Sequence, residues 1–136
     1  MFAVKNERKT PDHIVQHAKD EIQHIINSVS GVNFIMICST DGFELATIFK
    51  KNSFNNTKLA AVSSSLHAMV SALMNELQLT GCQSITLDAD NGKALLTSVP
   101  GKHPMIIVTL ANKDVLLGQL LHELKNSSIS ITTQPT

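Results

Sequence analysis

The residues that most suggest chemistry are three histidines and an aspartate along the first predicted helix. His13 and His17 are four positions apart, and Asp20 and His24 continue the same helical face. Imidazole and carboxylate groups at this spacing can bind zinc or nickel. Structural zinc sites, however, usually use cysteine or ligands from several elements, and this stripe lies opposite the apolar face of its helix. We therefore interpret it as a solvated polar face that holds no biological metal, with adventitious metal capture as the alternative.

Catalytic and nucleotide-binding motifs do not occur in the sequence. Gly92-Lys93 and Gly101-Lys102 lack the upstream glycine and the following Ser or Thr of a phosphate-binding loop. There is no G-x-S-x-G sequence and no glycine-rich dinucleotide fingerprint. Cys38 and Cys82 are isolated, as in a protein whose thiols stay reduced in the cytoplasm. We expect a protein that is not an enzyme and binds no cofactor.

The composition predicts one soluble globular domain. The chain has 136 residues, a net charge of +0 and 43% hydrophobic residues, which is enough to bury a core. A neutral chain gives no electrostatic reason to expect binding to nucleic acid or to an anionic membrane. No apolar run is long enough for membrane insertion, and residues 1–11 do not resemble a signal peptide. We therefore expect a cytoplasmic protein.

The hydrophobic periodicity predicts a domain over residues 12–125 between two tails. Residues 1–11 are polar, and residues 126–136 are rich in Ser and Thr, although Ile129 and Ile131 could form an edge strand. Within the domain, the order of elements is helix, hairpin, helix, three-stranded meander, helix. This order is an α+β topology, αββαβββα.

Two of the five predicted strands are almost wholly apolar. They are Phe34–Cys38 and Met105–Leu110, and such strands are covered on both faces and lie centrally in a sheet. With these two strands adjacent, the natural sheet is antiparallel with the order 2-1-5-4-3. The alternating strand Ser84–Asp88 then lies at an edge.

The second predicted helix has an unusual lack of charge. The 17 residues from Leu59 to Asn75 include no Asp, Glu, Lys or Arg. One face is apolar and can cover a sheet: Leu59, Val62, Leu66, Met69, Val70, Leu73 and Leu77. The opposite face is small and uncharged: Ala61, Ser64, Ser65, Ala68, Ser71, Ala72 and Asn75. Exposed helices normally carry charge there, so we expect this face to pack against another chain; a merely tolerated surface of small residues is the alternative.

The predicted edge strand indicates the same contact. It consists of Ser84, Ile85, Thr86, Leu87 and Asp88. It contains no Pro and no Lys, so only Asp88 protects it from pairing with another strand. An open edge beside an uncharged helix predicts a two-fold homodimer in which both elements contribute to the interface.

These features together resemble the Roadblock (dynein light chain) family, and within it the bacterial MglB-type regulators of Ras-like GTPases. The resemblance rests on Gly31-Val32 before the first strand, Asp41 to Ala46 at the hairpin, and the uncharged helix from Leu59. It continues with Ile85-Thr86-Leu87 before Asn91-Gly92, and with Leu117-Gly118 at the start of the last helix.

The resemblance implies a Roadblock/profilin-like fold, a homodimer with a joined ten-stranded sheet, and a platform of paired second helices on which a small Ras-like GTPase docks. A GTPase activator commonly donates an arginine. Arg8, the only arginine, lies in the predicted N-terminal tail. We therefore expect any effect on GTP hydrolysis to act without an arginine finger. The alternatives are a scaffold or adaptor with no effect on hydrolysis and, third, a sensor of small ligands.

Overall fold

The computed structural model describes residues 10–51, 53–81 and 84–134. The helices and strands follow the predicted order: α1 (Asp12–Ser28), β1 (Val32–Ser39), β2 (Glu44–Phe49), α2 (Asn56–Glu76), β3 (Ser84–Ala89), β4 (Gly92–Val99), β5 (Met105–Ala111) and α3 (Leu117–Thr132). The strands form one antiparallel sheet in the order β2-β1-β5-β4-β3. The predicted α+β class, topology and strand order are confirmed.

The two apolar strands lie where their sequences place them. β1 and β5 pair with each other from Val32 opposite Ala111 to Ser39 opposite Met105. Their side chains are almost all buried, because helices cover both faces of the sheet at this point. The centre of the sheet is therefore the centre of the core.

The helices divide the core into two layers. α1 and α3 pack together on one face, where Ile22, Ile25, Leu120 and Leu124 are fully buried. α2 alone covers part of the other face, over a smaller cluster that includes Phe34, Met36 and Ile106. The face under α2 is the less protected of the two.

The C-terminal boundary predicted at residue 125 needs correction. Residues 126–132 are the last turns of α3, so Ile129 and Ile131 are helical and do not form an edge strand. Ser127, Ser128 and Ile131 are buried. The serine hydroxyls bond to Glu21 and to the Ser98 carbonyl oxygen, which is why a polar segment can pack as helix.

The predicted N-terminal tail falls mostly on residues 1–9, which lie outside the described residues, as does Arg8. Thr10 is buried, and the Pro11 carbonyl oxygen accepts the first bonds of α1. Among the described residues, no helix has the length and apolar character needed to cross a bilayer.

Candidate protein-interaction surface

α2 is fixed to the sheet by its small and polar side chains. Ala60 and Ser63 are its only buried residues. The Ser64 hydroxyl donates to the Thr40 carbonyl oxygen at 2.5 Å, and His67 Nε2 lies 3.1 Å from Ser98 Oγ. Small residues let the helix backbone approach the sheet closely. The centre of the α2 face that meets the sheet is therefore formed by small and polar residues, with Leu59 and Leu66 of the predicted apolar face beside them.

The predicted orientation of α2 is accordingly wrong by roughly a quarter turn, as judged from its helical periodicity. Leu59 and Leu66 pack against the core as expected. In contrast, Val62 is 55% exposed, Met69 64% and Leu73 56%, and Leu77 just beyond the helix is 57% exposed. Large apolar side chains of a helix rarely stay exposed as a set in a monomer. The outward face of α2 is apolar as well as uncharged.

The small residues predicted for a dimer contact are mostly exposed. Ser64 is the exception, since its side chain is half-buried against the β1–β2 turn. The other predicted residues are exposed: Ala61, Ser65, Ala68, Ser71, Ala72 and Asn75. We refer to these six residues with Val62, Met69 and Leu73 as the outer α2 face.

Gly42 permits the close contact of α2 with the β1–β2 turn. Its φ is +97°, and a Cβ there would lie 3.6 Å from both Ala61 Cα and Ser64 Cβ. Its N–H donates to the Ser39 carbonyl oxygen, while Asp41 has no positive φ. The Asp41-Gly42 pair is thus not the turn with two positive φ values that this dipeptide favours, and the hairpin instead has a bulge between Ile37 and Cys38.

Among the described residues, α2 leaves the β3 side of the sheet largely uncovered on the same face. α2 packs over β1, β5 and β2. Ile85 and Leu87 on β3 are opposite Leu96 and Ala94 on β4, so they point to the α2 face with Leu96. Leu87 is 49% exposed. An apolar shelf formed by Ile85, Leu87 and Ala94 therefore lies next to the outer α2 face.

β3 is the outermost strand on this side of the sheet in the part of the chain that the structure describes. Ser84, Thr86, Leu87 and Asp88 are exposed, and Ile85 is half-buried. Asp88 accepts a hydrogen bond from Lys93 Nζ at 2.6 Å, and this bond holds the pKa of Asp88 below its usual range. Its carboxylate is bound within its own hairpin, so it protects the edge less than the sequence suggested.

The histidine stripe of α1 is partly engaged with α3. His17 Nε2 lies 2.9 Å from Ser130 Oγ and 3.8 Å from Glu21 Oε2, and His24 Nε2 lies 3.9 Å from Glu123. Among the described residues, no three His, Cys, Asp or Glu side chains are grouped closely enough to hold a metal ion. His13 and Asp20 are exposed.

Ser130, His17 and Glu21 have the residue types of a catalytic triad but not its geometry. In a triad, the serine bonds to one ring nitrogen and the carboxylate to the other. Here Ser130 Oγ and Glu21 Oε2 are both close to the same nitrogen, and the Ser130 hydroxyl donates to Glu21 at 3.0 Å. Because the serine hydroxyl donates its hydrogen bond to the carboxylate and not to the imidazole, the imidazole is not placed to act as its general base. These residues therefore connect α1 to α3.

The thiol that the structure describes is also unsuited to chemistry. Cys38 is fully buried, and burial with a smaller contribution from Glu44 raises its pKa to about 12. The reactive form of cysteine is the thiolate. Cys82 lies outside the described residues.

The concavity between the start of α1, the β4–β5 turn and the end of α3 gives little support to a ligand sensor. Its lining includes Ile14, Pro100, Lys102 and Ile131, and its volume is about 20 Å³. This volume accommodates about one water molecule, whereas ligand pockets are usually several hundred Å³.

Comparisons with solved structures identify the fold. The chain is similar to MglB from Myxococcus xanthus, with a TM-score of 0.81 and 10% identity, covering 93% of this chain and 92% of that one. An MglB with a tetrameric arrangement matches with a TM-score of 0.78 and 15% identity, covering 90% of each chain. The Roadblock/LC7 domain from Streptomyces avermitilis matches with a TM-score of 0.73 and 13% identity, covering 83% of this chain and 92% of that one.

No protein-family model matches the sequence, and no curated protein sequence matches it. At the identities above, the structural likeness establishes the fold, which is Roadblock/MglB-like. The resemblance inferred from the sequence motifs is confirmed at this level.

Proposed function

We propose that this protein is a non-catalytic homodimer that binds a small Ras-like GTPase and modulates its GTP hydrolysis without an arginine finger. The observation that carries the proposal is the outer α2 face, which is apolar, uncharged and exposed beside a half-covered sheet. Solvent is an unfavourable environment for such a surface, and a protein partner is a favourable one. The Roadblock/MglB-like fold supports a small Ras-like GTPase as the partner.

A dimer with a two-fold axis can bury both the β3 edge and the outer α2 face at once. The β3 strands of the two copies would pair through Ser84, Ile85, Thr86, Leu87 and Asp88. Each α2 would then lie over the apolar shelf of the other copy, because the shelf adjoins both β3 and the outer α2 face. In this arrangement Ala61, Ser65, Ala68, Ser71, Ala72 and Asn75 permit close approach of the two α2 helices. Ser64 would contribute indirectly by fixing α2 to Thr40.

The paired α2 helices would form the surface that binds the GTPase. An uncharged platform offers no cation to the transferring phosphoryl group, which favours a mechanism in which the regulator orders the catalytic residues of the GTPase itself. Arg8, the only arginine in the chain, precedes the domain. It would therefore not be required for acceleration.

The test is single-turnover GTP hydrolysis by a candidate Ras-like GTPase from the same cell, with and without this protein. We expect acceleration, and we expect Arg8→Ala to retain it, with Lys9→Ala as the matched control for loss of one charge. Loss of acceleration in Arg8→Ala with intact binding would overturn the finger-free mechanism. Binding without any acceleration would show a scaffold, and no binding to any such GTPase would overturn the proposed function.

A further inference from the structure

A second exposed apolar feature lies at the opposite edge of the sheet from β3. Phe49 at the end of β2 is 51% exposed, and Phe54 just before α2 is 43% exposed. Phe49 is directly opposite Phe34 in the β1–β2 pair, and the Phe54 ring meets the Phe34 ring edge to face at 5.1 Å. The Phe54 ring is therefore held against Phe34, and both exposed rings present about half of their surface. Aromatic side chains fixed in this way are typical anchors of protein interfaces.

Positive charge is concentrated in the segment that carries these rings. Lys50, Lys51 and Lys58 are exposed, and the ten residues from Phe49 to Lys58 contain no Asp or Glu. The nearest acidic side chain along the chain is Glu44, whose Oε2 accepts hydrogen bonds from Asn56 at 2.9 Å and from Thr47. In a chain of net charge +0, this is a local basic surface, and it attracts carboxylates.

The backbone of β2 also offers hydrogen bonds at this edge. β2 is the outermost strand on its side of the sheet that the structure describes. The Lys50 N–H donates to the Asn33 carbonyl oxygen at 2.9 Å, so Lys50 and Asn33 form a hydrogen-bonded pair. Such pairs alternate along antiparallel strands, and the backbone groups of Phe49 and Thr47 therefore point away from β1. They can accept a further strand.

We propose that the β2 edge, with Phe49, Phe54 and the three lysines, is a docking surface for an extended acidic segment of another protein, which pairs with β2 as a sixth strand. The free backbone groups would provide affinity, the rings would bind apolar side chains, and the lysines would select for Glu or Asp. This inference does not depend on the proposed function. Because a dimer would use β3, both β2 edges would remain available.

Two other occupants fit these observations less well. Sequence clusters that bind anionic lipid usually have four to eight basic residues beside a lipid anchor or an amphipathic helix, whereas this surface has three and its Phe54 ring is packed against Phe34. The chain's own first nine residues are net basic, so they would be repelled. An acidic partner segment is the occupant that the charge favours.

The experiment measures fluorescence anisotropy of labelled peptides with the full chain. The probe is a short synthetic peptide of alternating glutamate and valine, and the comparison peptide has lysine in place of glutamate. We expect saturable binding of the glutamate peptide, weakening as salt increases, and at least about tenfold weaker binding to the protein with Lys50→Glu and Lys51→Glu. The protein with Lys102→Glu and Lys125→Glu, two exposed lysines at the β4–β5 turn and on α3, is the matched control and should bind normally.

N-methylation of the peptide tests strand pairing without altering the protein. Two versions of the probe carry methyl groups on alternate backbone amides, one in each phase. Only the phase whose N–H groups face β2 should lose binding. No saturable binding, equal binding of the lysine peptide, insensitivity to the Lys50/Lys51 change, or equal loss in both phases would each overturn the proposal. Cosedimentation with phosphatidylserine vesicles in place of peptide binding would overturn it in favour of a lipid surface.

Discussion

Ser64 and Ser65 are neighbours on α2 but have opposite environments. The Ser64 hydroxyl bonds to Thr40 on the chain's own β1–β2 turn, whereas Ser65 is exposed on the outer α2 face. We predict that Ser65→Glu leaves the monomer folded and abolishes dimerisation, because it places an unpaired charge in the helix contact. Ala68→Glu should act in the same way. Mass by light scattering measures the effect, and Gln119→Glu on exposed α3 is the control.

Ser64→Glu should instead destabilise the fold. It removes the hydrogen bond to Thr40 and places a charge at a half-buried site, at a cost of about 2 kcal/mol. Urea unfolding distinguishes the two substitutions, because Ser64→Glu should lower the free energy of unfolding of the monomer and Ser65→Glu should not. A dimer unaffected by Ser65→Glu and Ala68→Glu would contradict the role of the outer α2 face.

From the burial of the Cys38 thiol we predict that the stability of the fold decreases at alkaline pH. The pKa of the thiol is raised from 9.0 to about 12 by burial and by Glu44, so above the unfolded pKa the unfolded chain loses the thiol proton while the folded chain keeps it. Stability is then fully present below pH 9 and falls as pH rises, by up to about 1.4 kcal/mol per pH unit. Urea unfolding of Cys82→Ser at several pH values measures the slope. The variant with Cys38→Ala in addition should lack this contribution; an unchanged slope would contradict the prediction.

At the scale of elements, proline at two adjacent positions of β3 distinguishes pairing with a partner from pairing within the chain. At one position the N–H faces away from the sheet, and at the other it bonds to β4. Ala89 and Gly92 pair at the end of the β3–β4 hairpin, and hydrogen-bonded pairs alternate along antiparallel strands. The backbone of Leu87 therefore bonds to Ala94, whereas the Thr86 N–H points away from β4. We predict that Thr86→Pro prevents dimerisation and leaves the hairpin intact, because proline is tolerated where the N–H faces away from the sheet. Leu87→Pro should unfold β3 by removing a bond to β4. Light scattering and circular dichroism check both variants, and a Thr86→Pro dimer would exclude paired β3 edges.

The last turns of α3 give a second prediction at this scale. Ile131 is 3% exposed, and burial of such a side chain contributes roughly 2 kcal/mol. The hydroxyls of Ser127 and Ser130 also satisfy Glu21. Truncation after Lys125 should therefore destabilise the domain by several kcal/mol, as measured by thermal or urea unfolding. Removal of Pro135 and Thr136 alone is the control, and equal stability of the two truncations would restore the interpretation of residues 126–136 as a tail.

These elements show how far the sequence predicts the fold. The strand order followed from the apolar character of β1 and β5, because only strands covered on both faces have that pattern. The end of α3 could not be predicted in the same way, since Ser127, Ser128 and Ser130 form a typical polar tail unless their bonds to other elements are known.

The candidate site was predicted in part for a related reason. α2 has apolar residues on one face and small ones on the opposite face, and hydrophobic periodicity assigns the apolar face to the core. The helix is instead positioned by Ala60, Ser63, Ser64 and His67. Its lack of charge marked α2 as an unusual exposed helix, whereas the identity of the buried face depends on contacts far apart in sequence. Phe49 and Phe54 were missed because nothing local distinguishes an exposed ring from a buried one.

At the scale of the whole molecule, the outer α2 face and the β3 edge predict a single assembly. Light scattering at micromolar concentration should give about twice the 14.8 kDa of the chain. The joined sheet would have ten strands with β2 at each end. A monomer under these conditions would contradict the homodimer, and a larger closed assembly would indicate a further interface.

The small buried area of α2 has a consequence for folding. Only Ala60 and Ser63 of its 21 residues are buried by the chain itself, so in the proposed dimer much of the apolar contact that holds this helix comes from another molecule. Folding of α2 and association are then one linked equilibrium governed by mass action. The melting temperature should rise with protein concentration, and dilution should loosen α2 before it disturbs α1, α3 or the centre of the sheet.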